Sequence, residues 1–302
     1  MSQSNVRANL QIWGFLALST VSLSAQAHTP YLLPNIFHAS NRKPVISVDA
    51  SRTDNMFIPD LAWAADTRFS VTTPGGAVIT IPASNVHQLA TRTVIEHPLT
   101  VAQGADPAGT YRLMAGPTVG AASRSWEING KVERVRDPGV PMPAGAQLQR
   151  HTQTISSAAA YITVDAARVA EGQPPRPKPD VKALQATGKG LEIVPISHPN
   201  QLYAGGRFDF RVQFDGKLLA DHKVDVVYSN MDFSGKSTRL SVNTDRQGTV
   251  SYPLAQPGVY MAMVRFSDDA PLSATTPTRT YSHSLTFKAV MPQADDSPVD
   301  SH

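Results

Sequence analysis

The sequence contains no cysteine. That excludes disulfide staples, thiolate metal sites and a cysteine nucleophile. Its domains must rest on apolar cores, and any transition metal must be held by nitrogen, oxygen or methionine sulfur. Net charge is also small, with 27 Lys and Arg against 24 Asp and Glu. This even balance gives no electrostatic footprint for nucleic acid, which needs a clustered basic patch. The apolar run from Ile12 to Leu23 falls short of the roughly 20 residues that a bilayer span requires. Sequence signatures of catalysis are missing too: no G-x-S-x-G elbow, H-E-x-x-H, Walker loop or G-x-G-x-x-G occurs. Gly75-Gly76 and Gly205-Gly206 fall between strand candidates and read as turns. These absences point to a non-enzymatic protein.

The first 27 residues have the pattern of a secretory signal. Arg7 supplies the positive start, IWGFLALSTVSL the apolar stretch, and Ala25 and Ala27 the small residues of an A-x-A cleavage site. An exported, periplasmic protein is expected, and cleavage after Ala27 makes His28 the new first residue. Its free α-amine, with an ordinary pKa of about 7.7–8.0, then sits beside its own imidazole. Amine nitrogen and Nδ1 close one chelate ring, so two ligands require the ordering of a single residue. Nickel(II) and copper(II) suit such nitrogen sites. Loss of residues 1–27 removes Arg7 alone among the charges, leaving 26 basic and 24 acidic residues.

Along the mature chain the strongest break is EGQPPRPKPD, residues 171–180, whose four prolines describe an extended spacer. It separates a β-rich region, 28–170, from a second, 181–290, with a polar tail over 291–302. In the second region RFDFRVQF places Phe208, Phe210, Val212 and Phe214 at period two, followed by the turn pair Asp215-Gly216. KVDVVYS, RLSVNT, GTVSYPL, VYMAMVRF and TYSHSLTFKAV continue the alternation. About seven short strands at this spacing predict an immunoglobulin-like β-sandwich. The first region has strand candidates in KPVISVDASR, DTRFSVTTPGGAVITIP and GTYRLMAG, with a hairpin closing at Asn129-Gly130. QTISSAAAYITVDAARVA reads as either strand or helix. The whole is expected to be all-β, a signal followed by two β-rich domains. GTYRL and PGVYMAMV share a Gly-x-Tyr entry into a strand, as two related sandwiches would.

The remaining histidines divide by context. His283 shares parity with Tyr281, Leu285 and Phe287, and His222 with Val224 and Val226, so both belong on apolar faces as interior imidazoles. His198 precedes a proline in the loop SHPNQLYAGG, from which its side chain can turn toward the other domain. His87 and His97 fit no compact ligand spacing. His38 returns to the new terminus only if the chain reverses near Pro34. Met261 and Met263 share a strand face, as core residues or as soft ligands for copper(I).

AHTPYLLP after a signal, GKGLEIVPISHPNQLYAGGRFDFRVQFDGKLLADHKVDVV, TDRQGTVSYPLAQPGVYMAMV and TYSHSLTF together resemble a periplasmic family, domain of unknown function 4198. The resemblance implies an exported two-part β protein ending in an immunoglobulin-like module, with a role in nickel or cobalt uptake. It supports His28 as the mature start and His198 within its HPN loop. The expectation is a protein that binds or delivers nickel, cobalt or copper through His28 and His198 to a membrane uptake system. The alternative is a metal-free sandwich adaptor for a protein or glycan of the cell envelope. A third reading, copper-dependent oxidation at His28, requires a second imidazole beside it.

Overall fold

The computed structural model describes residues 28–39, 45–98, 108–137, 139–164, 182–230 and 236–292. The proposed signal, the Pro-rich spacer and nearly all of the tail lie outside these residues. In chain order the strands are β1 (Thr29–Pro34), β2 (His38–Ala39), β3 (Val45–Thr53), β4 (Phe69–Thr72), β5 (Val78–Thr80), β6 (Val86–Gln88) and β7 (Thr93–Pro98). Then come β8 (Gly109–Val119), β9 (Ser123–Ile128), β10 (Lys131–Val135), β11 (Gln147–Val164), β12 (Leu191–Pro195) and β13 (Leu202–Tyr203). The rest are β14 (Arg207–Phe214), β15 (Lys217–Leu218), β16 (Lys223–Asn230), β17 (Lys236–Asn243), β18 (Thr249–Pro253), β19 (Gly258–Ser267) and β20 (Thr278–Val290). One 3-10 turn, Ala83–Asn85, is the only helical element among the described residues. The protein is all-β.

Each half is an immunoglobulin-like sandwich, and the two share one strand plan. In the first, a sheet ordered β1-β3-β7-β6 faces β11-β8-β4-β5. In the second, β12, β14 and β18 face β20-β19-β16-β17. The chain crosses between the facing sheets at β3–β4, β5–β6 and β7–β8 in the first half and at β15–β16, β17–β18 and β18–β19 in the second, as in immunoglobulin-type sandwiches. The Asp215-Gly216 turn forms as expected, both residues having positive φ (46° and 76°). Its return strand, however, is the two-residue β15, and β16 crosses to the opposite sheet. Asn129 and Gly130, at φ 51° and 73°, close the β9–β10 hairpin with Ile128 opposite Lys131.

The last strands of the two halves, β11 and β20, pair in parallel from Thr152↔Thr278 to Ala160↔Thr286. The two inner sheets thereby fuse into one, ordered β17-β16-β19-β20-β11-β8-β4-β5. The order is palindromic, as if a two-fold axis ran along the β11–β20 seam, and the outer sheets lie on opposite faces. The run Ser156-Ser157-Ala158-Ala159-Ala160 explains how. Ala158 and Ala160 pack with Leu32, Val48 and Ile162 under the first outer sheet. Ala159 and Tyr161 pack with Ile193, Phe208 and Phe287 under the second. A strand covered on both faces at close range needs small side chains, and it loses the polar alternation of a half-exposed strand. This settles QTISSAAAYITV as strand; the rest of that stretch, residues 165–170, lies outside the described residues.

The shared Gly-x-Tyr marks the same strand in both halves, β8 and β19. Gly109 and Gly258 both take positive φ (133° and 149°). A Cβ on Gly258 would stand 2.5 Å from Tyr228 Cε2. Tyr260 Oη donates to the carbonyl of Gln256 at 2.6 Å, the corner bond that fixes entry into this strand of immunoglobulin-like sandwiches. Tyr111 and Tyr260 are both buried.

Candidate functional site

Strand β1 brings His28 to its neighbours. Pro30 and Pro34 suit an edge strand, where a missing N–H leaves no gap in a ladder, and β1 pairs only with β3 in its sheet. The register Thr29↔Thr53 continues outward to set His28 opposite Asp54. Beyond Thr53 the chain makes a closed loop. Arg52 N–H donates to Leu61 O at 2.8 Å and Leu61 N–H returns to Arg52 O at 3.1 Å, pinching residues 53–60 at the neck. Asp54 N–H donates to Asp60 Oδ2 at 2.8 Å. Two carboxylates six residues apart thus meet beside His28, whose Nε2 lies 3.7 Å from Asp54 Oδ2.

One ligand atom from each of His28, Asp54 and Asp60 lies within 4.8 Å of the others, and all three residues are exposed. Among the described residues this is the only such group of three or more His, Asp or Glu. Its donors, one imidazole and two carboxylates, fit a divalent transition metal better than a soft monovalent one. Cleavage before His28 would add the amine; because Nε2 is the ring nitrogen facing Asp54, the exposed imidazole must turn to present Nδ1 for two nitrogens and two oxygens to share one ion. The oxidation reading needs a second imidazole beside His28; the groups the structure sets there are the carboxylates of Asp54 and Asp60.

His198 lies elsewhere. Its side chain does turn toward the other half: Nε2 is 2.9 Å from Thr110 Oγ1 on β8. Nδ1 accepts the Asn200 N–H at 3.2 Å, which assigns the neutral ring's proton to Nε2 and makes Thr110 its acceptor. Thr110 Oγ1 is 3.1 Å from Thr163 Oγ1, which accepts from Asn200 Nδ2 at 3.0 Å. Both ring nitrogens are thus engaged in a latch joining the HPN loop to β8 and β11. Burial, followed by the nearby His38, lowers the His198 pKa below its ordinary value. Thr29 contacts Met263, which pairs with Ser284, itself opposite Ala158. Thr163 is five residues farther along β11, so His28 and His198 stand about 17 Å apart along the strands. The structure does not bring them together.

The other candidates have local partners. His283 is 2 % exposed, with Nδ1 2.8 Å from Ser157 Oγ. His222 is half-buried at a strand margin, Nε2 2.7 Å from Arg265 O. His87 sits 4.0 Å from Glu96. His151, which no sequence pattern singled out, is buried with Nδ1 2.8 Å from Ser273 O. Asp54 and Asp60 were missed as well. Their spacing has no motif, and only the Arg52–Leu61 pinch reveals their meeting.

A groove of about 810 Å³ opens where β11 and β20 diverge. There β2 pairs with the end of β11 and β13 with the end of β20. His38, Asp49, Asn200, Tyr203 and Lys288 are among its lining residues.

Residues 25–268 match the domain of unknown function DUF4198. The chain belongs to this family. No curated protein matches it. Among solved structures it is similar to the D0-D1 domain of intimin, at 12 % identity and TM-score 0.20, covering 85 % of this chain and 96 % of that one. A Salmonella alpha-2-macroglobulin reacted with methylamine aligns at 11 % identity and TM-score 0.23, over 86 % of this chain and 15 % of that one. Dimeric latent PorU from Porphyromonas gingivalis aligns at 14 % identity and TM-score 0.21, over 88 % and 20 %. This DUF4198 chain spans a fifth or less of the latter two. At those scores its immunoglobulin-like assignment rests on strand order.

Proposed function

We propose that this DUF4198 protein is exported and binds a divalent transition metal at its mature amino terminus, for delivery to an uptake system in a membrane. The observation that carries the reading is the meeting of His28 with Asp54 and Asp60, their ligand atoms within 4.8 Å of one another. The His28 amine and imidazole chelate the metal, and the two carboxylates supply oxygen ligands and negative charge. Nickel(II), cobalt(II) and copper(II) all accept such donors, with copper(II) bound most tightly in the general affinity order. The protein's own contribution is a pre-formed loop neck that holds two of the ligands before the metal arrives, which lowers the ordering cost of binding. His198 is not needed in this reading.

The test is calorimetric titration of the protein beginning at His28 with nickel, cobalt and copper. One equivalent of metal is expected. A variant with one extra residue before His28 converts the amine to a peptide amide, and its affinity is expected to fall at least tenfold. Equal binding by the two proteins would refute the site. A stoichiometric envelope partner retained in chelator, with no metal binding, would favour the adaptor instead.

A further inference from the structure

Met261 and Met263 are both 2 % exposed, on the face of β19 turned toward β1. Thr29 Oγ1 donates to Met263 Sδ at 3.1 Å, so one thioether lies a single residue from His28. Met261 packs with Tyr31 and with Met56, which is 4 % exposed and belongs to the same loop as Asp54 and Asp60. Met56 and Met261 therefore meet behind β1 from segments about 200 residues apart in sequence, and Met263 lies two positions along the same face of β19. In a chain without cysteine, thioethers are the sulfur ligands available.

Two donor types then stand back to back at the start of β1. On the solvent side are nitrogen and carboxylate oxygen, which suit copper(II). On the inner side are thioethers, which select copper(I). Nickel(II) and cobalt(II) make no comparable use of the second set. Building on the metal-site reading above, we propose that the cation is copper, that the His28 chelate takes it as copper(II), and that Met263, Met261 and Met56 form a separate site for copper that arrives already as copper(I), with no electron transfer between the two. Release of the Thr29 hydroxyl–sulfur bond at the start of β1 uncovers Met263 first, and Met261 and Met56 lie deeper, under Tyr31. Strand ends open at little free-energy cost compared with strand centres. Methionine also fills core gaps, and leucine keeps nearly the same volume. Substitution by leucine therefore preserves packing while removing sulfur.

The experiment uses the protein beginning at His28. Anaerobic competition with a chromophoric copper(I) chelator measures copper(I) affinity, and parallel calorimetry measures copper(II). Met263→Leu is expected to weaken copper(I) at least tenfold, and Met56→Leu with Met261→Leu and Met263→Leu combined to end competition. Copper(II) affinity should stay within twofold in both. Copper(I) affinity unchanged in the triple variant, or absent in the parent, overturns the inference. If copper(II) still binds in that case, the terminal chelate stands; if copper(II) binding is absent as well, both readings fail. Should the triple variant not fold, X-ray absorption at the copper edge of the copper(I)-loaded parent decides. Sulfur scatterers are expected, and a purely nitrogen–oxygen shell overturns the proposal.

Discussion

Ser157 Oγ lies 2.8 Å from His283 Nδ1, directly across the parallel seam that joins the two sandwiches. Burial is the main reason that the His283 pKa is lowered to about 4, with Glu192 raising it and Arg112 lowering it to a smaller degree. An unfolded histidine titrates near 6.5, so between those values the unfolded chain binds the proton and the native one does not. Native stability from this group is complete above about pH 6.5. It is lost as pH falls toward 4, by about 3 kcal/mol in all. The prediction is tested by urea unfolding of the parent and of His283→Asn at pH 7 and pH 4.5. The variant starts less stable, and its gap to the parent should shrink by most of that amount in acid. Parallel loss in both proteins would remove His283 as the cause.

A second prediction concerns Gly258. Its φ of 149° is in the region favouring glycine, and a Cβ would meet Tyr228 Cε2 at 2.5 Å and Tyr228 Oη at 3.2 Å. Tyr228 Oη is held in turn by Pro257 O at 3.1 Å, so the ring cannot simply swing away. Gly258→Ala should cost about 1–3 kcal/mol through overpacking. In a Tyr228→Leu background the same change should cost clearly less, with a backbone remainder. Chemical denaturation of the four proteins gives the coupling, and an equal cost in both backgrounds would show that the ring is irrelevant.

How far these arrangements can be read from sequence depends on exposure. RFDFRVQF declares itself because β14 keeps one polar face: Phe208, Phe210 and Val212 are buried, while Arg207 and Arg211 are exposed. Asn129-Gly130 and Asp215-Gly216 are legible because positive φ restricts the residues that can serve. The seam strand is not, since Ala158, Ala159 and Ala160 are all buried on alternating faces, and neither face carries a polar signal. His28 stands out in the sequence because it follows an A-x-A pattern, whereas Asp54 and Asp60 become partners only through a strand register and a loop pinch. His198 shows the converse. Its loop was recognisable, and its turn toward the first half expected, yet the groups it meets are a threonine hydroxyl and a backbone amide, neither of which a histidine pattern could announce.

That latch yields a third prediction. Thr110→Val removes the acceptor of His198 Nε2–H while keeping the strand's shape, leaving a half-buried donor unpaired. The expected loss is about 1–3 kcal/mol in unfolding free energy. The lowered His198 pKa has the same sign as that of His283, so the latch also weakens as pH falls below the ordinary histidine range. Neither Thr110→Val nor His198→Ala should alter metal stoichiometry at His28, about 17 Å away. Loss of a bound metal equivalent in His198→Ala would instead restore His198 as a ligand.

The last prediction separates the amine from the carboxylates at the proposed metal site. A metal that binds the His28 amine must displace its proton, and the ordinary amine pKa is about 7.7–8.0. Below that value each pH unit lowered should weaken binding about tenfold for this one proton. Asp54→Asn and Asp60→Asn remove charge and an oxygen ligand but leave the amine in place. Each should weaken binding by a similar factor at every pH and retain the slope. The variant extended by one residue before His28 has no amine there to titrate, so its weaker binding should lose this component of the slope. Metal titrations from pH 6 to 8 with all four proteins distinguish the donors. A slope shared by the parent and the extended variant would mean that the proton released on binding does not come from the amine, and the chelate ring would have to be abandoned even if Asp54 and Asp60 proved to be ligands.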